Sequence, residues 1–269
     1  MIAGIITLLA AICVVREWSL LPDGRLHLRF FDVGQGDAAL IEFPEGGTML
    51  IDGGPDASTL RELGKTMPFM NRHIDIIALS HPNIDHLASL PEVLRRYSVK
   101  TLIMSVSGST MPTMRELGAA AATHGTTVFI ASAGQVLPLQ HGASLSVLWP
   151  PAHPPASFRS DVNDLSLVLV LSYGQHRALF TGDASEKIER VLLRANTDVH
   201  AEILKVAHHG SKSATTPAFL GRVHPAVAVI SVGKENPYGH PSPEVLRRLV
   251  EAHIDVRRTD ERGTIDIVW

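Results

Sequence analysis

Apolar residues along the chain gather in short runs, most of which end on a glycine, a proline or a carboxylate. Runs of four to eight apolar residues bounded by turn residues predict strands, and longer stretches with helical spacing predict helices. Leu26–Val33 alternates imperfectly and predicts a strand, and Gly34-Gln35-Gly36-Asp37 a turn. Ala38–Phe43 and Thr48–Ile51 predict a hairpin around Pro44-Glu45-Gly46-Gly47, closed by Asp52-Gly53-Gly54-Pro55. A short helix over Ser58–Lys65 precedes a buried strand at Ile74–Leu79, and Leu87–Arg96 predicts the next helix. Thr101–Met104, Thr127–Ile130 and Ser144–Leu148 predict strands, with an alanine-rich helix over Thr113–His124. Pro150–Ser160 holds four prolines and predicts a surface loop.

The second half repeats the scheme. Strands are expected at Leu165–Tyr173, Arg177–Phe180, Ala201–Val206, Val227–Ser231, Val256–Arg258 and Thr264–Val268. Helices are expected at Ser185–Arg194, Thr216–Arg222 and Pro243–His253. Neither half has enough helices to cover two sheet faces. Two sheets inside and helices outside, an α/β (α+β) sandwich, accommodates both the hairpins and the helices.

Met1–Val15 is apolar apart from Thr7 and ends at Arg16-Glu17. That is short of the roughly 20 residues that span a bilayer. No basic residue precedes it and no small-x-small cleavage site follows, so an ordinary signal peptide does not fit. It reads as the tail of a transmembrane helix or as a weak signal anchor, in preference to a buried helix. Residues 16–25 read as a linker, which makes 1–25 a membrane-associated segment and 26–269 the folded domain.

Composition narrows the chemistry. The chain has 269 residues, 45% hydrophobic and 19% charged, with a net charge of -3. No global field draws in nucleic acid, so a polyanion would need a local patch or a metal. One cysteine, Cys13, against 14 histidines excludes an internal disulfide framework and a cysteine zinc site. Metal chemistry here is histidine and carboxylate chemistry. A Walker phosphate loop and a Gly-x-Ser-x-Gly elbow are both absent from the sequence.

The polar clusters recur at one structural point, the loop after an apolar strand. Asp52, His81 with Asp85 and His86, Asp183, His208-His209 and His240 all obey this rule. One site assembled from several loops explains the recurrence better than independent accidents. Two imidazoles and a carboxylate between Ser80 and His86 suit zinc, manganese or iron. The bland alternative makes Asp85 a helix cap.

These motifs resemble the metallo-beta-lactamase fold, and within it the C-terminal domain of the ComEC-type competence (DNA internalization) proteins. The resemblance rests on Phe31-Asp32-Val33-Gly34-Gln35-Gly36-Asp37, the Ser80–His86 loop, Asn163 with Ser166–Leu169, Thr181-Gly182-Asp183, Leu204–Ser211 and Asn236–Pro241. It covers about residues 26–269 and implies a four-layer αββα fold. The superfamily motif His-x-His-x-Asp-His is altered here, because Asn83 stands at the second histidine.

The resemblance implies one metal position held by Asp85, His86, Asp183 and a histidine of the 208–209 pair, with His209 preferred and His208 turned to substrate. A first, weaker position would keep His81 and the bridging Asp183, with Asn83 and Asn163 in place of imidazoles. One or two divalent ions, manganese or zinc, are expected, and no organic cofactor. Lys205 is a candidate for stabilising phosphate charge, against the alternative of a solvated strand lysine. His240 is a candidate acid for the leaving group, against a turn residue packed on Tyr238. Asp37 and Asp52 read chiefly as loop-holding acceptors and, with Ser211, as further metal or substrate contacts.

The activity implied is a metal-dependent phosphodiesterase or nuclease on single-stranded DNA during uptake. It would sit at the bacterial inner membrane with the domain on the extracytoplasmic side, served by a channel protein or a membrane portion on another chain. Arg247-Arg248 and Arg257-Arg258 are candidate phosphate contacts. The alternatives are a hydrolase of a small phosphodiester or lactone and a metal-binding inactive domain, since the fold alone does not choose.

Overall fold

The computed structural model describes residues 2–105 and 111–269. Two seven-stranded mixed sheets face one another. The first runs through β1 (His27–Phe30), β2 (Ala39–Glu42), β3 (Thr48–Ile51), β4 (His73–Leu79), β5 (Ser98–Met104) and β6 (Thr127–Ile130) in chain order. The second is built from β7 (Val136–Pro138), β8 (Ser144–Trp149), β9 (Val168–Tyr173), β10 (His176–Phe180), β11 (Ile203–Lys205), β12 (Val227–Ile230) and β13 (Asp255–Arg258). The last strand, β14 (Ile265–Val268), crosses back and pairs with β1, so the chain's end closes the first sheet.

The helices are α1 (Ile2–Ser19), α2 (Ser58–Thr66), α3 (Ile84–Leu87), α4 (Leu90–Arg96), α5 (Pro112–His124), α6 (Ala156–Arg159), α7 (Glu186–Arg194), α8 (Pro217–Val223), α9 (Pro243–Glu251) and α10 (Thr259–Arg262). Three apolar clusters separate the layers. Phe30, Ile41, Met49, Leu169, Leu171 and Phe180 fill the space between the sheets. Leu63, Val93, Leu94 and Leu117 of α2, α4 and α5 cover the outer face of the first sheet. Ile188, Leu192, Phe219, Val245 and Leu249 of α7, α8 and α9 cover the second. Four layers with both sheets buried on both faces are the expected αββα sandwich, and the near-continuous apolar strands follow from that double burial.

Several expected boundaries shift for identifiable reasons. The helix expected over Leu87–Arg96 is divided: α3 ends at Leu87 and α4 begins at Leu90, with Pro91 accommodated in its first turn, where an amide donor has no partner to lose. Asp85 is not a cap, because Asn83 holds the N-cap position of α3. The strand expected from Leu165 begins at Val168, since Val162–Leu165 forms a 3-10 turn capped by Asp161. The three-residue edge strand β7 was too short and too exposed to leave a periodic signal.

The start of the chain also differs from expectation. Residues 16–19 continue α1 rather than beginning a linker. Ile5, Leu8, Ile12, Val15 and Trp18 are all more than half exposed, so the domain does not bury this helix. Arg16 donates to the Gly64 carbonyl at 2.6 Å and Glu17 accepts from the Phe69 amide at 2.6 Å, which holds the end of α1 against the domain. Among the described residues, no helix is long and apolar enough to cross a membrane.

Phe30 and Phe180 stack between the sheets with ring centroids 5.9 Å apart. Phe30→Ala leaves a cavity there and is expected to destabilise the fold by about 3–5 kcal/mol, with an unchanged slope in a urea titration. A loss under about 1 kcal/mol would show that the sheets do not depend on this contact.

Candidate metal centre

Parallel strands put successive loops at the same sheet edge. β3, β4 and β5 are parallel, as are β10, β11 and β12. Asp52 follows β3, the Ser80–His86 loop follows β4, Asp183 follows β10, and His208-His209 follow β11. The register pairs Ile51 with Ala78 and Phe180 with Lys205, so each carboxylate lies level with its neighbour's histidine loop. The two sheets are tied here by Leu167 N–H to the Ser80 carbonyl, 2.9 Å, and within the first sheet Asp37 N–H holds the β1–β2 loop to the Asp85 carbonyl at 3.1 Å. Gly36 passes so close to the Asp85 carbonyl and Pro55 that a Cβ there would collide with both.

Asp52, His208 and His209 have φ of 60°, 50° and 52°, a left-handed backbone that is unusual outside glycine and concentrates at functional sites.

Asp85, His86, Asp183 and His209 each present one ligand atom, all within 4.8 Å of one another. His86 Nε2 lies 3.3 Å from Asp183 Oδ1, and His209 Nε2 lies 3.3 Å from Asp85 Oδ2 and 3.8 Å from Asp183 Oδ1. Three of these atoms, His86 Nε2, His209 Nε2 and Asp183 Oδ1, are buried without a hydrogen-bond partner among the described residues, and so is His81 Nε2. Buried polar atoms are normally paired, so three orphans converging on one place, with a fourth on the other side of Asp183, call for a missing partner.

The outward edges of the rings are the reverse. His86 Nδ1 bonds Asp52 Oδ2 at 2.8 Å, and His209 Nδ1 bonds the Ser231 carbonyl at 3.0 Å with Asp37 Oδ1 at 3.2 Å. The Ser80 hydroxyl donates to Asp52 at 2.7 Å, which leaves its oxygen to accept from His81 Nδ1 at 3.0 Å. Each Nδ1 therefore carries a proton, and each Nε2 points inward, where a divalent ion would take the place of a second proton. This is the second-layer bonding that orients metal-binding histidines.

Charge agrees with that reading. Asp37, Asp52, Asp85 and Asp183 face a single ammonium, Lys205, in a cluster that is buried apart from the Asp85 edge. Burial alone would depress the His209 imidazole, but Asp183 and Asp37 lift it to about 9, and His86 is lifted by Asp183 and Asp52. Burial pushes His81, which is farther from those carboxylates, down to about 3. Burial would raise Asp37 and Asp183, yet Lys205 with His209 and the ligand histidines respectively hold both well below the usual carboxylate range. Two imidazoles and two carboxylates with surplus negative charge fit a divalent cation such as zinc, manganese or iron.

The other expected residues divide into groups. Lys205 is buried, and its ammonium donates to Asp37 Oδ2 at 2.6 Å, so it is neither the solvated strand lysine nor free for phosphate. Asn83 and Asn163 do meet, but Asn83 Nδ2 donates to Asn163 Oδ1 at 2.7 Å, so the amides bind each other. His81 Nε2 and His208 Nε2 lie 3.8 and 3.7 Å from Asp183 Oδ2, on the side of that carboxylate away from the four-atom cluster. His240 lies beyond, its ring 5.6 Å from His208 and 6.4 Å from His209, and burial with the neighbouring His208 lowers its pKa.

Ser211 turns aside to Ser213 at 2.9 Å. Arg248, Arg257 and Arg258 are engaged by Glu244, Asp255 and Asp260, while Arg247 is exposed with Glu251 3.8 Å away. Sequence reasoning missed Ser80, Ser231 and Ser166, the last accepting from Asp183 N–H at 3.1 Å. Their only signal was position beside a ligand.

The metallo-beta-lactamase superfamily model matches residues 31–234, and the chain belongs to that superfamily. It is 33% identical over 251 residues to ComE operon protein 3 of Bacillus subtilis, covering 87% of this chain and 32% of that protein. It is 31% identical over 241 residues to Recombination protein 2 of Haemophilus influenzae, covering 88% and 28%. The chain thus spans about a third of the length of these curated relatives. Among solved structures, the metallo-beta-lactamase fold protein YhfI of B. subtilis superposes with a TM-score of 0.59 at 12% identity over 90% of this chain and 99% of that one. The Zn(2+)-bound PqqB of Methylobacterium extorquens gives 0.58 at 12% over 87% of each. CmlA, a diiron beta-hydroxylase from Streptomyces venezuelae, gives 0.62 at 13%, over 92% of this chain and 55% of that one.

Asp37→Asn removes the carboxylate charge 3.2 Å from His209 Nδ1 while sparing the four ligands. Competition with a chromogenic chelator is expected to show divalent-ion affinity falling about 10- to 100-fold. Unchanged affinity would mean that the Lys205–Asp37 pair holds only the fold.

Proposed function

We propose that the domain is a metal-dependent phosphodiesterase that cuts DNA, in the manner expected of the nuclease part of a DNA-uptake system. The observation that carries the reading is the convergence of Asp85, His86, Asp183 and His209 on one point, buried except at the Asp85 edge. The chemistry a divalent ion supplies in such a site is activation of water and neutralisation of charge on a phosphate. Asp85, His86, Asp183 and His209 would hold it.

The protein's own residues supply the rest. Asp52 and Asp37 keep the ligand rings in one orientation, so the site is preorganised. His208, partly exposed beside Asp183, and His240 stand at the mouth and can exchange protons with the attacking and leaving oxygens. Lys212 and Lys234 are exposed on the loops that carry His208 and His240, with no ion pair among the described residues, and offer phosphate contacts. The likeness to Recombination protein 2 and the resemblance of the motifs to competence proteins support a DNA substrate. The exposed apolar helix α1 supports work at a membrane; the extracytoplasmic side and a channel carried by another part of the machinery are part of the same proposal.

A second reading is favoured by one feature. Because Asn83 and Asn163 bind each other, the first metal position has two imidazoles at most, His81 and His208. A single-ion hydrolase, or a metal-binding module without turnover, follows if that position stays empty.

Purified protein loaded with manganese or zinc is expected to degrade single-stranded DNA, and Asp85→Ala to lose at least about 100-fold in rate, since it deletes a ligand. Intact DNA under metal-saturated conditions, with turnover of chromogenic phosphodiesters or lactones, would assign the site to small esters. Inactivity on all of them would leave the inert module.

A further inference from the structure

An aromatic step leads from solvent to the metal centre. Tyr238 is 67% exposed, and its ring stacks on His240 with centroids 5.8 Å apart and planes 26° apart. His240 in turn lies 6.4 Å, ring to ring, from the ligand His209 and 5.6 Å from His208. Tyr238 is thus two ring steps from a metal ligand, with its outer face open.

The loop that carries this pair is fixed from within. Asn236 Nδ2 donates to the carbonyls of Gly233 and His240 at 2.9 and 2.6 Å. Asn236 Oδ1 accepts from the amides of Tyr238 at 3.2 Å and His240 at 2.9 Å. Gly233 is bound by Gln35, so the loop is braced against the first sheet. An exposed aromatic on a floppy loop would lose much of its contact energy in ordering, whereas this one is held in place beforehand. His240 Nδ1 is buried without a hydrogen-bond partner among the described residues, a second sign that something polar is meant to sit against this pair. Exposed Lys234 lies on the same loop and exposed Lys212 on the neighbouring one.

A bare aromatic face, a half-buried imidazole and nearby ammonium groups match the chemistry of a nucleotide: a flat base with a phosphate beside it. We propose that Tyr238 and His240 form a stacking step for the unpaired base next to the scissile phosphate, making Tyr238 a specificity-determining residue for single strands. The inference rests on the nuclease reading above and deepens it. A base within a duplex has both faces covered by its neighbours, so only an unpaired one can use the step. Every base has such a face, so the selection is for strandedness and not for sequence.

The test uses the full chain loaded with manganese and a labelled single-stranded oligonucleotide, with binding read on a cleavage-resistant phosphorothioate version. Tyr238→Ala is expected to raise KM and Kd about 10- to 100-fold, the range of one base–aromatic stack, while Tyr238→Phe and Tyr238→Trp keep most of the affinity. An abasic residue at the position flanking the cut should cost the wild type a similar factor. Combined with Tyr238→Ala it should cost little more, because the two deletions remove one contact. Wild-type cleavage with unchanged KM and Kd in Tyr238→Ala overturns the step and leaves the nuclease reading standing. So does an additive loss in the combined case, or a Phe variant as weak as Ala. A wild type that neither binds nor cuts the oligonucleotide removes the nuclease reading, and the step with it.

Discussion

The interaction on which this molecule depends is the outward bond made by each inward-facing histidine. His86 is held by Asp52 and His209 by Asp37 and the Ser231 carbonyl, with Lys205 behind Asp37. These bonds decide which ring nitrogen faces outward. They also decide where the inward Nε2 atoms converge. Without them His86 and His209 would be buried imidazoles free to turn either ring nitrogen toward the neighbouring carboxylates. With them, a buried region that holds four carboxylates and one ammonium is an electrostatic vacancy for a divalent cation.

The sandwich exists, from this viewpoint, to bring those loops to one edge. Asp37 and Asp52 belong to the first sheet, Lys205 and His209 to the second, and the Lys205–Asp37 contact crosses between them at 2.6 Å. Breaking a buried pair by removing one partner typically costs about 3–5 kcal/mol, so this bridge couples the stability of the two halves to the geometry of the ligands. The close approach at Gly36 and the left-handed backbone at His208 and His209 are local costs of the same arrangement. Substrate selection belongs to the outer layer of loops, where Tyr238 and His240 stand clear of the ligands but are braced by Asn236.

Much of this was legible in the chain. Apolar runs ending in carboxylate or histidine turns located nearly every strand of the two sheets, because double burial leaves strong, continuous signals. Rule-of-position reasoning also gathered Asp52, His81, Asp85, His86, Asp183 and His208-His209 at one edge. Side-chain direction was not legible. Lys205 reads as an exposed strand lysine because periodicity says nothing about a carboxylate arriving from Asp37, 168 residues earlier in the chain. The mutual bond of Asn83 and Asn163, the turn of Ser211 toward Ser213, and the neutralised arginines depend likewise on neighbours that only folding supplies. The packing of His240 on Tyr238 was legible as an alternative, but an aromatic in a turn does not reveal its exposure.

The most direct test of the central claim is a crystal of the protein soaked in manganese and measured for anomalous scattering. The account predicts a strong peak bounded by Asp85, His86, Asp183 and His209, with His86 and His209 bound through Nε2. A metal-saturated crystal with no peak there, or with its strongest peak on the Asn83–Asn163 pair, would contradict it.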